Sequence, residues 1–260
     1  MRRASTCLAA TGLAVLALSS VASAAPTVTL KAEAVPIPGF KGTGNIYGAG
    51  AAFQAEFTIK GTEYGGYPPP LIGINVYLPK GTVLHPSGFA TCSKKAIVEE
   101  KEPTKCPKKS KAGPVGKAYG FVVFGNERVP EALSIESFFA PGGGLYFFAA
   151  GHTPASIEIT SVGRYIHLNG AGGFGPEAVV QVPLVETVPG APDASVEKIV
   201  SKVGAAYMKG KTPVYYGRVP KKGMCPKGGF PVKAELTFAG LGGLSEQVVT
   251  TTYKAPCPRK

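Results

Sequence analysis

Hydrophobic and polar positions alternate with a period of two along much of the chain, as they do in strands that set one face in a dry interior and the other in water. In residues 51–60, Ala51, Phe53, Ala55, Phe57 and Ile59 share one face, while Gln54, Glu56, Thr58 and Lys60 share the other. In 71–78 the apolar face is Ile72, Ile74, Val76 and Leu78. In 230–238 it is Phe230, Val232, Ala234, Leu236 and Phe238, with Lys233, Glu235 and Thr237 opposite. Less regular alternation predicts strands at 27–34, 117–124, 132–139, 145–150, 156–162, 165–168, 178–182, 214–219 and 247–253. Turn signals separate them at 61–70, 141–144, 169–176 and 240–243. Many short strands joined by Gly/Pro turns define an all-β fold, and the expected architecture is an antiparallel β-sandwich, Ig-like or jelly-roll-like, with long Gly/Pro-rich loops.

Two segments break the period. Val196, Ile199, Val200 and Val203 follow i, i+3, i+4, i+7 spacing, with Gly204 placed to end a helix. Read as a strand, the same segment puts Glu197, Ile199, Ser201 and Val203 on one face, and the choice stays open. A short helix is also expected at 93–100. The stretch 188–192, Val-Pro-Gly-Ala-Pro, reads as a linker. It would cut off too small a C-terminal unit, so a single secreted domain over 25–260 is expected.

Composition changes this picture in one respect. Gly and Pro are abundant, at 35 and 24, which alone would suit disorder. Hydrophobic residues at 44% and charged residues at only 17% decide for a packed core.

The N-terminus has the pattern of a secretory leader. Arg2 and Arg3 precede an apolar stretch over 8–18, and Ala22-Ser23-Ala24 offers a cleavage site before Ala25. The apolar stretch is short of the ~20 residues a spanning helix needs, and no later segment reaches that length. Residues 1–24 are therefore expected to be removed, and the mature protein to work outside the cytoplasm or in the cell envelope.

Four cysteines follow the leader: Cys92, Cys106, Cys225 and Cys257. An even number in an exported chain implies disulfides. If 230–238 and 247–253 form a hairpin turning near Leu241, Cys225 and Cys257 face each other at its open end. Cys92 then pairs with Cys106 and closes a basic surface loop.

That loop holds much of the positive charge, which totals +12 for the chain. Lys94, Lys95, Lys101, Lys105, Lys108, Lys109 and Lys111 stand against Glu99, Glu100 and Glu102. The group is a candidate contact for an anionic cell-wall polymer or membrane surface. Without interleaved aromatics or arginines it does not suit specific reading of nucleic acid.

Residues that would mark an enzyme are scarce. Gly170-Ala171-Gly172-Gly173-Phe174-Gly175 matches a dinucleotide-loop pattern, but Pro176 and a Val-rich strand follow where a helix would be needed. Asp193 is the only aspartate, and His85, His152 and His167 are dispersed. There is no nucleophile elbow and no zinc-helix motif. Glu131, Glu136 and Glu158 could be combined as a glycosidase pair but are expected on solvent-facing strand positions. The sequence calls for no cofactor and no metal.

The segments 106–113 (Cys-Pro-Lys-Lys-Ser-Lys-Ala-Gly), 203–206 and 219–220, and 225–231 (Cys-Pro-Lys-Gly-Gly-Phe-Pro) resemble uncharacterised secreted β-rich proteins of high-G+C Gram-positive bacteria. The resemblance runs in patches from Thr91 onward. It implies an exported β-rich protein and transfers no catalytic residue. The expectation is thus a non-enzymatic structural or binding protein of the extracellular space or envelope, with an extracellular hydrolase acting on a polymer as the alternative.

Overall fold

The alternating segments become strands of one continuous antiparallel sheet. The structure is a computed structural model and describes residues 25–37, 40, 50–124, 127–153, 156–168, 171–184, 194–240 and 245–257. The expected leader, Asp193, the 188–192 stretch and Leu241 lie outside these residues.

The strands are β1 (Thr27–Val35), β2 (Ala52–Lys60), β3 (Leu71–Pro79), β4 (Val83–Leu84), β5 (Gly116–Phe124), β6 (Glu127–Phe139), β7 (Leu145–Gly151), β8 (Ile157–His167), β9 (Phe174–Gln181), β10 (Ser195–Val203), β11 (Ala206–Lys209), β12 (Thr212–Tyr215), β13 (Gly217–Arg218), β14 (Phe230–Phe238) and β15 (Gln247–Ala255). Eleven form the main sheet in the order β1-β2-β10-β5-β6-β7-β8-β9-β3-β14-β15. Its two edges, β1 and β15, lie against each other, so the sheet is nearly a closed barrel. The chain is all-β as expected. A division into two packed sheets is not specifically shown, because hydrogen bonding runs unbroken through all eleven strands. Strands from both sides of 188–192 interleave: β10 joins β2 to β5, and β14 pairs with β3.

The open segment 195–203 is a strand, and a β-bulge explains its helix-like spacing. Val196 faces Gly120 and Lys198 faces Tyr119, so Glu197 is an extra residue in β10. The bulge brings Val196 onto the same side as Ile199, Ser201 and Val203, three residues on instead of two. Glu197 turns outward and takes the Arg128 guanidinium at 2.7 Å. The expected helix at 93–100 contracts to one π-helical turn, Lys95–Glu99, where the Ala96 N–H donates to Ser93 Oγ at 3.2 Å.

Both disulfides are formed, Cys92 with Cys106 and Cys225 with Cys257. The hairpin register differs from expectation. Phe230 pairs with Ala255 and Phe238 with Gln247, so the two cysteines are not directly opposite. Cys225 sits before β14 and Cys257 just past β15, and the bridge crosses the open end obliquely. By restricting the unfolded chain, each bridge contributes roughly 3–4 kcal/mol.

Phe57, Ile59, Leu236 and Phe238 are among the most deeply buried residues of the core. Outside the aromatic patch on β6 and β7, much of the outer face is polar, with ion pairs such as Lys198–Glu56 across two strands and Lys233–Glu235 along β14. Apolar inside and polar outside is the reverse of a membrane-spanning barrel. No helix among the described residues is long and apolar enough to cross a membrane.

Candidate functional site

Eleven strands enclose more space than their side chains fill, because a barrel widens with strand number and many inward positions here are small. Ala34, Ala55, Ala149, Ala178 and Gly163 all point inward. The result is a cavity of about 230 Å³, walled mainly by Phe53, Phe57, Val76, Phe147, Val180 and Ile199. Several inward residues are only half-buried, although protein surrounds them, because the lumen exposes them. For comparison, a cavity of ~150 Å³ lined by aliphatic groups stays dry and accepts benzene. One end is lined by Tyr216, Val219 and Pro220, on the segment that carries β13. Pro68, Pro69 and Pro70 are fully buried elsewhere in the fold, where Ser195 Oγ donates to the Pro68 carbonyl at 2.7 Å.

Polar groups in the wall are few. Thr82 is 7% exposed and Tyr216 fully buried, and both border the cavity at the β4–β13 end. Tyr165 enters the same end from β8, its ring 6.2 Å from that of Tyr216. Burial raises the pKa of both phenols well above the ordinary 10, so both stay neutral. The folded state therefore keeps protons that the unfolded chain loses, and the stability this confers is whole below pH 10 and falls as pH rises beyond it. In an alkaline UV titration the exposed tyrosines should ionise first, and Tyr165 and Tyr216 only as the barrel opens. Ionisation of all 11 tyrosines in the folded state would contradict this placement.

The basic loop is docked on the outside of the barrel. Phe138, Tyr146 and Phe148 project outward from β6 and β7 and are covered by Ala96, Ile97 and the Cys92–Cys106 bridge. The loop is also pinned by hydrogen bonds. Thr160 Oγ1 donates to the Ile97 carbonyl at 2.7 Å, and the Cys92 N–H donates to the Phe139 carbonyl at 2.8 Å. Its lysines divide into two groups. Lys95 and Lys105 meet Glu100, Lys105 also meets Glu102, and Lys111 meets Glu136 at 2.6 Å. Lys94, Lys101, Lys108 and Lys109 are exposed and form no ion pair among the described residues.

The residues considered for catalysis are not gathered. His85, His152 and His167 are all exposed, and none borders the cavity. His85 Nε2 lies 3.1 Å from Ser87 Oγ on an open loop. Glu136 is taken by Lys111, and Glu158 stands on the outer face. Glu131 departs from the solvent-facing expectation. It is 5% exposed and points inward beside a second hollow of about 50 Å³. Gly151 makes room for it, since a Cβ there would lie 2.6 Å from Glu131 Oε1. The glycine-rich 170–175 run leads into β9, a strand.

Fold and site together define a large antiparallel β-sheet, nearly closed into a barrel, with an apolar lumen and a basic loop strapped to its outer wall. No family model, curated protein or solved structure matches the chain. The inward alanines that create the lumen were individually visible as the apolar faces of strands, but the strand order that brings them together was not.

Proposed function

We propose that this is a secreted, non-enzymatic binding protein that holds a small apolar molecule inside its barrel. The observation that carries the reading is the cavity of about 230 Å³ lined by aliphatic and aromatic side chains. A void of that size forfeits packing energy, so its occupation by a ligand gives the small inward residues a purpose. The wall also speaks for binding over hydrolysis. Among the described residues its charged members are Glu33 and Arg164, which stand at exposed positions of their strands, and none is a histidine or lysine. Export is supported by the two disulfides, which persist in oxidising compartments, and by the leader pattern of 1–24. Titration with Nile red, a neutral apolar dye, should give saturable binding of one dye per chain with a blue-shifted emission. The absence of saturable binding would refute the reading.

A second reading concerns the outer wall. Lys94, Lys101, Lys108 and Lys109 form a preordered cationic face suited to anionic polymer or an anionic membrane surface, held by the bridge and by the aromatic patch beneath it. The structure narrows the test to these four, since Lys95, Lys105 and Lys111 are already paired. Changing the four to Gln should release the protein from wall polymer or anionic vesicles at lower salt than wild type, because the attraction is Coulombic and screened over ~8 Å at physiological ionic strength. Equal retention of the two proteins across the salt series would show that the charge serves solubility alone.

A further inference from the structure

The lumen is not uniform along its length. Toward β1, β2, β3 and β14 the wall is hydrocarbon, with Phe57, Ile74, Phe230 and Val232 clustered there. At the β4–β13 end it changes character. Thr82 Oγ1 is buried without a hydrogen-bond partner, and the buried Tyr216 hydroxyl has only the neighbouring phenol of Tyr165 to bond. A buried hydroxyl left unpaired is costly, and such groups normally have a partner. Here three hydroxyls face one end of an otherwise apolar space.

Among the described residues, this end has no inward-facing charged side chain. Arg164 borders the cavity but occupies an outward position of β8, and Thr82, Tyr165 and Tyr216 are all neutral. A carboxylate or phosphate brought here would be desolvated with no cation to meet it. A hydroxyl or carbonyl would instead exchange hydrogen bonds with Thr82 and the two phenols, each of which can donate and accept.

We propose that the ligand is a neutral amphiphile, an alkyl or alicyclic chain bearing one hydroxyl or carbonyl. Its head meets Thr82, Tyr165 and Tyr216, and its tail lies along the Phe57–Val232 side of the lumen. This rests on the lumen being the binding site and adds which end of it reads the ligand.

The test is displacement of bound Nile red from the intact, disulfide-bonded protein by matched ten-carbon compounds: 1-decanol, 2-decanone, decanoate and decylammonium. At neutral pH, decanol and decanone should displace the dye at concentrations at least tenfold below those of the two ions. In Thr82→Val and Tyr165→Phe, the advantage of decanol over decanoate, measured against each variant's own dye affinity, should shrink severalfold. Circular dichroism and the urea midpoint confirm that each variant is folded. Tight dye binding with decanoate displacing as well as decanol would overturn the head-group assignment and leave the lumen as the binding site. An advantage of decanol unaltered in both variants would overturn it equally. Failure of the dye to bind at all would remove both readings together.

Discussion

Replacing Phe138 with alanine should cost about 3–5 kcal/mol and loosen the basic loop without collapsing the barrel. Phe138 is 1% exposed yet points away from the lumen. Its ring is the floor on which Ala96, Ile97 and the Cys92–Cys106 bridge rest, and removing a buried phenylalanine side chain costs about that much through lost transfer energy and the space left behind. Lys111 bridges to its backbone and reaches over its ring at 6.0 Å. The stability loss should register as a lower urea midpoint. The structural consequence should register as faster amide exchange over 93–105, with Nile red binding retained. Unchanged exchange in that segment would mean that the hydrogen bonds from Thr160 and Cys92 hold the loop by themselves. The prediction also separates the two surfaces: damage to the outer aromatic patch should weaken retention on anionic polymer and spare the lumen.

The strands that were plain in the sequence are those whose two faces meet different media along their whole length. In β2 and β14 every second residue faces the core, and the alternation is nearly unbroken. The segment 195–203 was ambiguous for a local reason. One bulged residue, Glu197, converts a period of two into a step of three, which a linear reading cannot separate from a helical turn. The disulfide partners were legible, whereas the hairpin register was not, because alternation on two neighbouring strands does not say which residues face each other, and Phe238 in fact pairs with Gln247. The closing of the sheet was not legible at all. Alternation reports that a strand has an inside but not which strands share it, and both a sandwich and a barrel satisfy the same pattern.

The site follows the same logic. The basic loop was visible as charge closed by two cysteines, but its apolar underside, Ala96 and Ile97, was overshadowed by the lysines around it. The pairing of Lys111 with Glu136 depends on β6 lying beneath the loop and could not be read from spacing. The lumen was hidden because alanine on an apolar strand face is unremarked in isolation. It acquires meaning only when Ala55, Ala149 and Ala178, from strands far apart in sequence, face one space.

Filling that space should abolish binding and stabilise the protein, a pairing that distinguishes a functional cavity from a packing flaw. Ala55 on β2 and Ala149 on β7 both point into the lumen and are only half-buried by their neighbours. Leucine at each position would extend into empty volume, so the added methylenes gain contact instead of meeting a packed wall. At ~0.8 kcal/mol per buried methylene, reduced by imperfect fit, the double variant Ala55→Leu/Ala149→Leu should gain about 1–2 kcal/mol. Its thermal midpoint should rise, and Nile red binding should fall below detection. The contrast with Phe138→Ala is then complete, with one variant losing stability and keeping the dye and the other gaining stability and losing it. A double variant that becomes more stable and still binds the dye with wild-type affinity would place the dye elsewhere and end the case for the lumen. One that unfolds would show that the inward alanines are fixed by packing, and that the barrel has no room for a guest.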